Sequence, residues 1–178
     1  MSEHDQQSPF GKLGLAPVYR VDRDQIERAY RTRLASAHPD TASGGLGLDP
    51  ASLNKARAAL IDDEQRAVAL LELLGGPGAS ECKDLPDGFL MEMMDIRQQI
   101  EEAIESGGEQ QREHWERWGI EQRRAHRERI AELFDALGDE PDAQGLCAIR
   151  VELNAWRYIE RLIEQLDPEY DPARADFR

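Results

Sequence analysis

The chain has 178 residues, 40% of them hydrophobic, and carries 36 Asp and Glu against 22 Lys and Arg. A net charge of −14 argues against nucleic acid as the main partner, because a phosphate backbone repels an acidic surface. Two cysteines without a CxxC pair argue against a disulfide framework or a structural zinc site, and no apolar run approaches the twenty residues a membrane span needs.

Ala, Leu, Glu, Gln and Arg dominate, and no period-2 run of β-branched residues stands out, so the chain is expected to be all-α. A short first segment carries Phe10, Leu13 and Leu15 and breaks at Gly14 and Pro17. The next helix opens at Asp22, whose side chain can cap it, with Gln25 placed as in a capping box. Ile26, Tyr30 and Leu34 recur every four residues and make one apolar face. Pro39 ends that helix, since the residue before a proline is driven out of the α region. Residues 41–50 (TASGGLGLDP) read as a loop. Two further helices are expected over 51–60 and 64–74, the second buried between neighbours because Leu70, Leu71, Leu73 and Leu74 surround it.

Residues 75–88 are rich in Gly and Pro and read as a linker. Beyond it lie three long helical patterns, 89–105, 109–137 and 142–166, with short breaks that suit an antiparallel three-helix bundle. Residues 167–178 look like a frayed tail. The charge divides unevenly at the linker: residues 1–74 hold 9 Lys/Arg and 11 Asp/Glu, residues 75–178 hold 13 and 25. This asymmetry supports two functional halves, although an acidic second half also serves plain solubility.

His38-Pro39-Asp40 follows an amphipathic helix and opens a loop. A lone HPD is an ordinary turn, but its context adds Phe10…Leu13-Gly14-Leu15, Ala29-Tyr30-Arg31, and Asn54…Ala56…Leu60…Arg66-Ala67. Together these residues resemble the J domain, the module that activates chaperones of the 70-kDa heat-shock class, over roughly residues 8–74. The resemblance implies that His38, Pro39 and Asp40 contact the chaperone and promote its ATP hydrolysis. Pro39 stiffens the turn and Asp40 offers a carboxylate to a partner arginine. Arg28, Arg31 and Arg33, on the helix before HPD, form a basic patch suited to an acidic groove on the chaperone; the competing reading is a solvated face paired with Asp24 and Glu27. Ala37 and Thr41 depart from the aromatic residue and the lysine that usually flank HPD.

The second half narrows the resemblance. Residues 89–97 (FLMEMMDIR), Arg66-Ala67…Leu70-Leu71…Gly75, and Trp156-Arg157-Tyr158-Ile159…Leu162 look like HscB/Jac-type co-chaperones of iron–sulfur cluster assembly, over nearly the whole chain. Such proteins deliver the scaffold IscU to an HscA- or DnaK-type chaperone. On the first bundle helix Met93, Ile96, Ile100 and Ile104 make the core stripe, leaving Leu90 on its shoulder and Met94 outside it. On the last helix Leu146, Ile149, Leu153, Trp156 and Ile163 make the main stripe, with Val151, Tyr158 and Leu162 roughly opposite. The resemblance implies a client face of Leu90, Met94 and Tyr158, helped by Asp95, Gln98 and Glu102, where Gln98 lacks the family's charge. Leu162 is expected to pack inward.

His114 and His126 lack i, i+4 partners, so a metal site is not expected; Trp115 and Trp118 read as bundle packing, and Cys82 as incidental. The basic stretch 123–129 (RRAHRER) is interleaved with or flanked by glutamates and reads as a solvated, ion-paired face. With no signal-peptide pattern, the chain is expected to be a cytoplasmic adaptor that is not an enzyme and binds no cofactor, nucleic acid or membrane. The alternatives are an adaptor for a different client and a degenerate J-like protein with a structural role.

Overall fold

Helices start where the sequence supplies an oxygen for the first unpaired amides. Asp49 accepts from the amides of Ala51 (2.7 Å) and Ser52 (3.1 Å) with Pro50 at the first helical position, and Asp62 accepts from Gln65 N at 2.8 Å. Ser8 and Asp142 do the same for Gly11 N and Gly145 N. The computed structural model describes residues 3–36, 49–106, 108–138 and 140–166. Over these the chain is all-α, as expected, with no strand among the described residues. The helices are α1 (Glu3–Gln7), α2 (Pro9–Leu13), α3 (Arg23–Ser36), α4 (Pro50–Ile61), α5 (Asp63–Leu73), α6 (Phe89–Ser106), α7 (Glu109–Ala136) and α8 (Ala143–Glu164).

The chain forms two compact units. The first comprises residues 1–78 and 131–150, the second residues 79–130 and 151–178. In the first, α2 and α3 pack on α4, and α4 on α5. Phe10, Leu13, Ile26, Leu53, Leu60 and Leu71 are almost fully buried, each worth about 1.5–3 kcal/mol relative to exposure. Of the apolar face expected on α3, Ile26 is buried and Tyr30 and Leu34 are half-buried. Tyr30 donates to Asn54 Oδ1 at 2.5 Å. Arg66 is buried and each of its three nitrogens has a partner: Nε donates to Tyr19 O (2.9 Å), Nη1 to Leu60 O (2.6 Å), and Nη2 pairs with Asp63. Phe134 stacks on Tyr19 with centroids 5.5 Å apart, and Arg20 pairs with Asp135 at 2.9 Å.

The second unit is built on α6, α7 before residue 131, and α8 after residue 150. Phe89, Met93, Ile100, Ala103, Trp115, Ala155, Ile159, Leu162 and Leu166 form its core. Gly119 lets Ile163 approach so closely that an added Cβ would lie 3.0 Å from Ile163 Cγ1. Leu162 packs inward as expected, and Trp115 and Trp118 meet edge to face at 5.5 Å. Two details differ. Ile104 is exposed and Ala103 takes the inward place, because steps of 4, 3, 4 and 3 residues from Phe89 hold one face while repeated steps of four drift off it. Val151 and Tyr158 are half-buried, so α8 is covered on more than one side.

Candidate functional site

The residues proposed to meet the chaperone lie in the first unit. His38, Pro39 and Asp40 fall outside the described residues, as do Ala37 and Thr41. Of the three arginines on α3, Arg28 and Arg31 are exposed. Arg33 is half-buried, its guanidinium lying over Gly14, where a φ of +70° closes α2. An alanine there would meet both the left-handed backbone and the Arg33 side chain. The hydrogen bonds of Glu27 go to Arg57 of α4 and not to the arginines of its own helix: Nε reaches both carboxylate oxygens at 3.0 Å, and Nη2 reaches Oε1 at 2.5 Å. This hydrogen-bonded pairing holds the Glu27 carboxyl below its ordinary range and raises the Arg57 guanidinium, with weaker attraction from Arg31 and Arg23 acting on Glu27. The edge of α3 that carries Glu27 is therefore a structural seam, while Arg28 and Arg31 face solvent.

The client residues lie in the second unit. Gly88, at φ +77°, turns the chain into α6, and its carbonyl accepts the amides of Met91 and Glu92 at 3.2 Å. Phe89 then points into the core, which leaves Leu90 and Met94 on the open side, 52% and 63% exposed. Both line an open groove of about 620 Å³, together with Met91 and residues 83–88. Tyr158 does not line this groove. It is half-buried on α8 and meets the core residue Phe89 edge to face at 5.7 Å. Asp95, Gln98 and Glu102 are exposed on α6 at spacings of three and four, one continuous polar strip. Gln98 Nε2 donates to Glu102 Oε1 at 3.0 Å, so the uncharged residue steadies its acidic neighbour.

Sequence reasoning does not single out Met91, the most exposed large apolar residue here at 74%. Its position three residues before Met94 on a helix is the signal that could have found it. The basic stretch of α7 is not wholly solvated. His126 is buried, its Nδ1 2.6 Å from Glu152 Oε1, and its ring is parallel to that of Trp156. Arg129 also reaches Glu152, at 3.2 Å, and Arg123 makes a two-pronged pair with Glu160 that raises its pKa. These are links to α8 and not to glutamates of the same helix. Cys82 is buried as well. Among the described residues no three His, Cys, Asp or Glu side chains group to hold a metal ion, and no helix is long and apolar enough to cross a membrane.

Residues 85–167 match the family described as the HSCB C-terminal oligomerisation domain. The chain is 28% identical over 170 residues to the co-chaperone protein HscB homolog of Azoarcus sp. (strain BH72), with 91% of this chain and 93% of the relative covered. Among solved structures, the human co-chaperone protein HscB superposes with a TM-score of 0.67 at 18% identity, covering 89% of this chain and 79% of that one. The chaperone HscB from Vibrio cholerae gives 0.66 at 19% identity, covering 89% and 94%. The two structures speak for the fold; the sequence matches speak for the family.

Proposed function

We propose that the chain is an HscB-type co-chaperone, a cytoplasmic adaptor and not an enzyme, serving iron–sulfur cluster assembly, as the match over residues 85–167 and the 28% identity to an HscB homolog support. Its N-terminal J domain stimulates ATP hydrolysis by an HscA- or DnaK-type 70-kDa heat-shock chaperone through His38, Pro39 and Asp40, with the basic edge of α3 at Arg28, Arg31 and Arg33 completing the contact. Its bundle holds the scaffold IscU on Leu90, Met94 and Tyr158, with Asp95, Gln98 and Glu102 beside them, and presents it for ATP-driven capture.

The observation that carries this reading is the exposure of Leu90 and Met94 on α6, inside the family-matched region, above a filled core. A helix that buries Phe89, Met93, Ile100 and Ala103 has no structural need of large apolar side chains on its open side. The acidic strip next to them suits a client with basic residues around an apolar patch. A calorimetric titration of the chain with an IscU-type scaffold tests the reading. Saturable one-to-one binding is expected, weakening as ionic strength rises. Chaperone stimulation without any scaffold binding would transfer the bundle to a different client.

A further inference from the structure

The groove beside Leu90 and Met94 has a second wall, residues 83–88, which lie in the sequence as part of a Gly/Pro-rich linker. That wall is anchored from behind. Asn154, half-buried on α8, points its carboxamide at the segment, and Nδ2 donates to Cys82 O at 3.0 Å and Asp84 O at 3.1 Å. Leu85, which also lines the groove, packs against the core of the bundle, and Pro86 O accepts the amide of Phe89 at 3.1 Å. Cys82, at the start of the wall, is only 9% exposed. Glycine and proline supply turns but few side chains to hold them, so the two bonds from Asn154 add to the packing of Leu85 in fixing the segment. One side chain on another helix, bonded to two carbonyls two residues apart, fixes both its position and its direction.

We propose that residues 83–88 are a working wall of the client groove and that Asn154 is the positioning residue that holds them there. This rests on the client reading of Leu90 and Met94 and adds to it a contact surface outside α6. An apolar client side chain entering the groove meets Leu90, Met91 and Met94 on one side and Leu85 and Pro86 on the other. Asp84 and Asp87 stand exposed in the wall and outnumber its one cation, Lys83, so the wall is net acidic toward a basic client.

The test compares Asn154→Ala and Asn154→Asp with the unaltered chain, all in a Cys147→Ser background so that Cys82 is the sole thiol. Two quantities are read: the rate of Cys82 modification by a maleimide, and the dissociation constant for an IscU-type scaffold. Losing both bonds is expected to speed labelling and weaken scaffold binding by about five- to tenfold. Asn154→Asp, which sets a carboxylate against two carbonyl oxygens, is expected to do more. Ile130→Val, a mild core change in the same unit, controls for general loss of stability and is expected to move neither quantity. Leu90→Ala is expected to weaken binding and leave labelling unchanged. Faster labelling with unchanged affinity would overturn the wall's role, and unchanged labelling would overturn Asn154's. If the unaltered chain fails to bind the scaffold, the client reading itself falls and the wall's role falls with it; Cys82 labelling would still show whether Asn154 holds the segment.

Discussion

Replacing Leu90 and Met94 together by alanine should separate binding from folding. Fully burying a Leu or Met side chain is worth about 1.5–3 kcal/mol, and these two are 52% and 63% exposed, so roughly half of that remains available to a partner. Truncation to alanine then removes about 2–3 kcal/mol from the complex, or about 30- to 150-fold in the dissociation constant. The same substitutions remove little from the folded chain, because the core beneath is supplied by Phe89, Met93 and Ile100. Calorimetric titration with the scaffold and thermal unfolding of the same preparations measure both sides. An affinity loss below about threefold would refute the reasoning, and so would a large drop in Tm, which would mean that the exposed side chains are structural.

Arg66→Met should strand the carbonyls of Tyr19 and Leu60 in a buried site and cost about 3–5 kcal/mol by urea unfolding; a loss under about 1 kcal/mol would mean that those bonds contribute little. Glu27→Gln should lower stability at neutral pH, where the ionised Glu27 is paired with Arg57. Since the folded-state pKa of Glu27 lies below its ordinary 4.5, this contribution is present above that value and is lost as pH falls through the folded-state pKa. Acid titrations of the two proteins followed by circular dichroism should therefore converge only once pH has fallen below the lowered folded-state pKa of Glu27. A gap that persists at low pH would assign the effect to something other than the charge.

Much of the architecture was legible because helices announce their own boundaries. Asp22 opens α3 as expected, its Oδ1 accepting the amide of Asp24 at 3.1 Å, and Gly75 and Gly88, at the ends of the segment read as a linker, both adopt positive φ. Angular bookkeeping on α6 placed Met94 outside the core stripe but Leu90 only on its shoulder, and the family resemblance added that both belong to one open face, where they are indeed exposed. What escaped the sequence depends on partners far along the chain. His126 has no neighbour at helical spacing, and its partner Glu152 sits 26 residues away on α8. Glu27 stands beside arginines of its own helix, yet its hydrogen bonds go to Arg57, 30 residues on. Residues 82–88 read as linker by composition, and nothing local announces that Asn154, about 70 positions later, ties them down. Periodicity shows which side of a helix is apolar; which distant polar groups will meet is decided by the packing of the helices.

The central claim is tested most directly by single-turnover ATP hydrolysis on the cognate 70-kDa chaperone, with this chain, with the scaffold, and with both, using His38→Gln as control. Stimulation that vanishes in His38→Gln and rises more than additively when the scaffold is present is the predicted result. No stimulation by the unaltered chain, or stimulation untouched by His38→Gln, would contradict it.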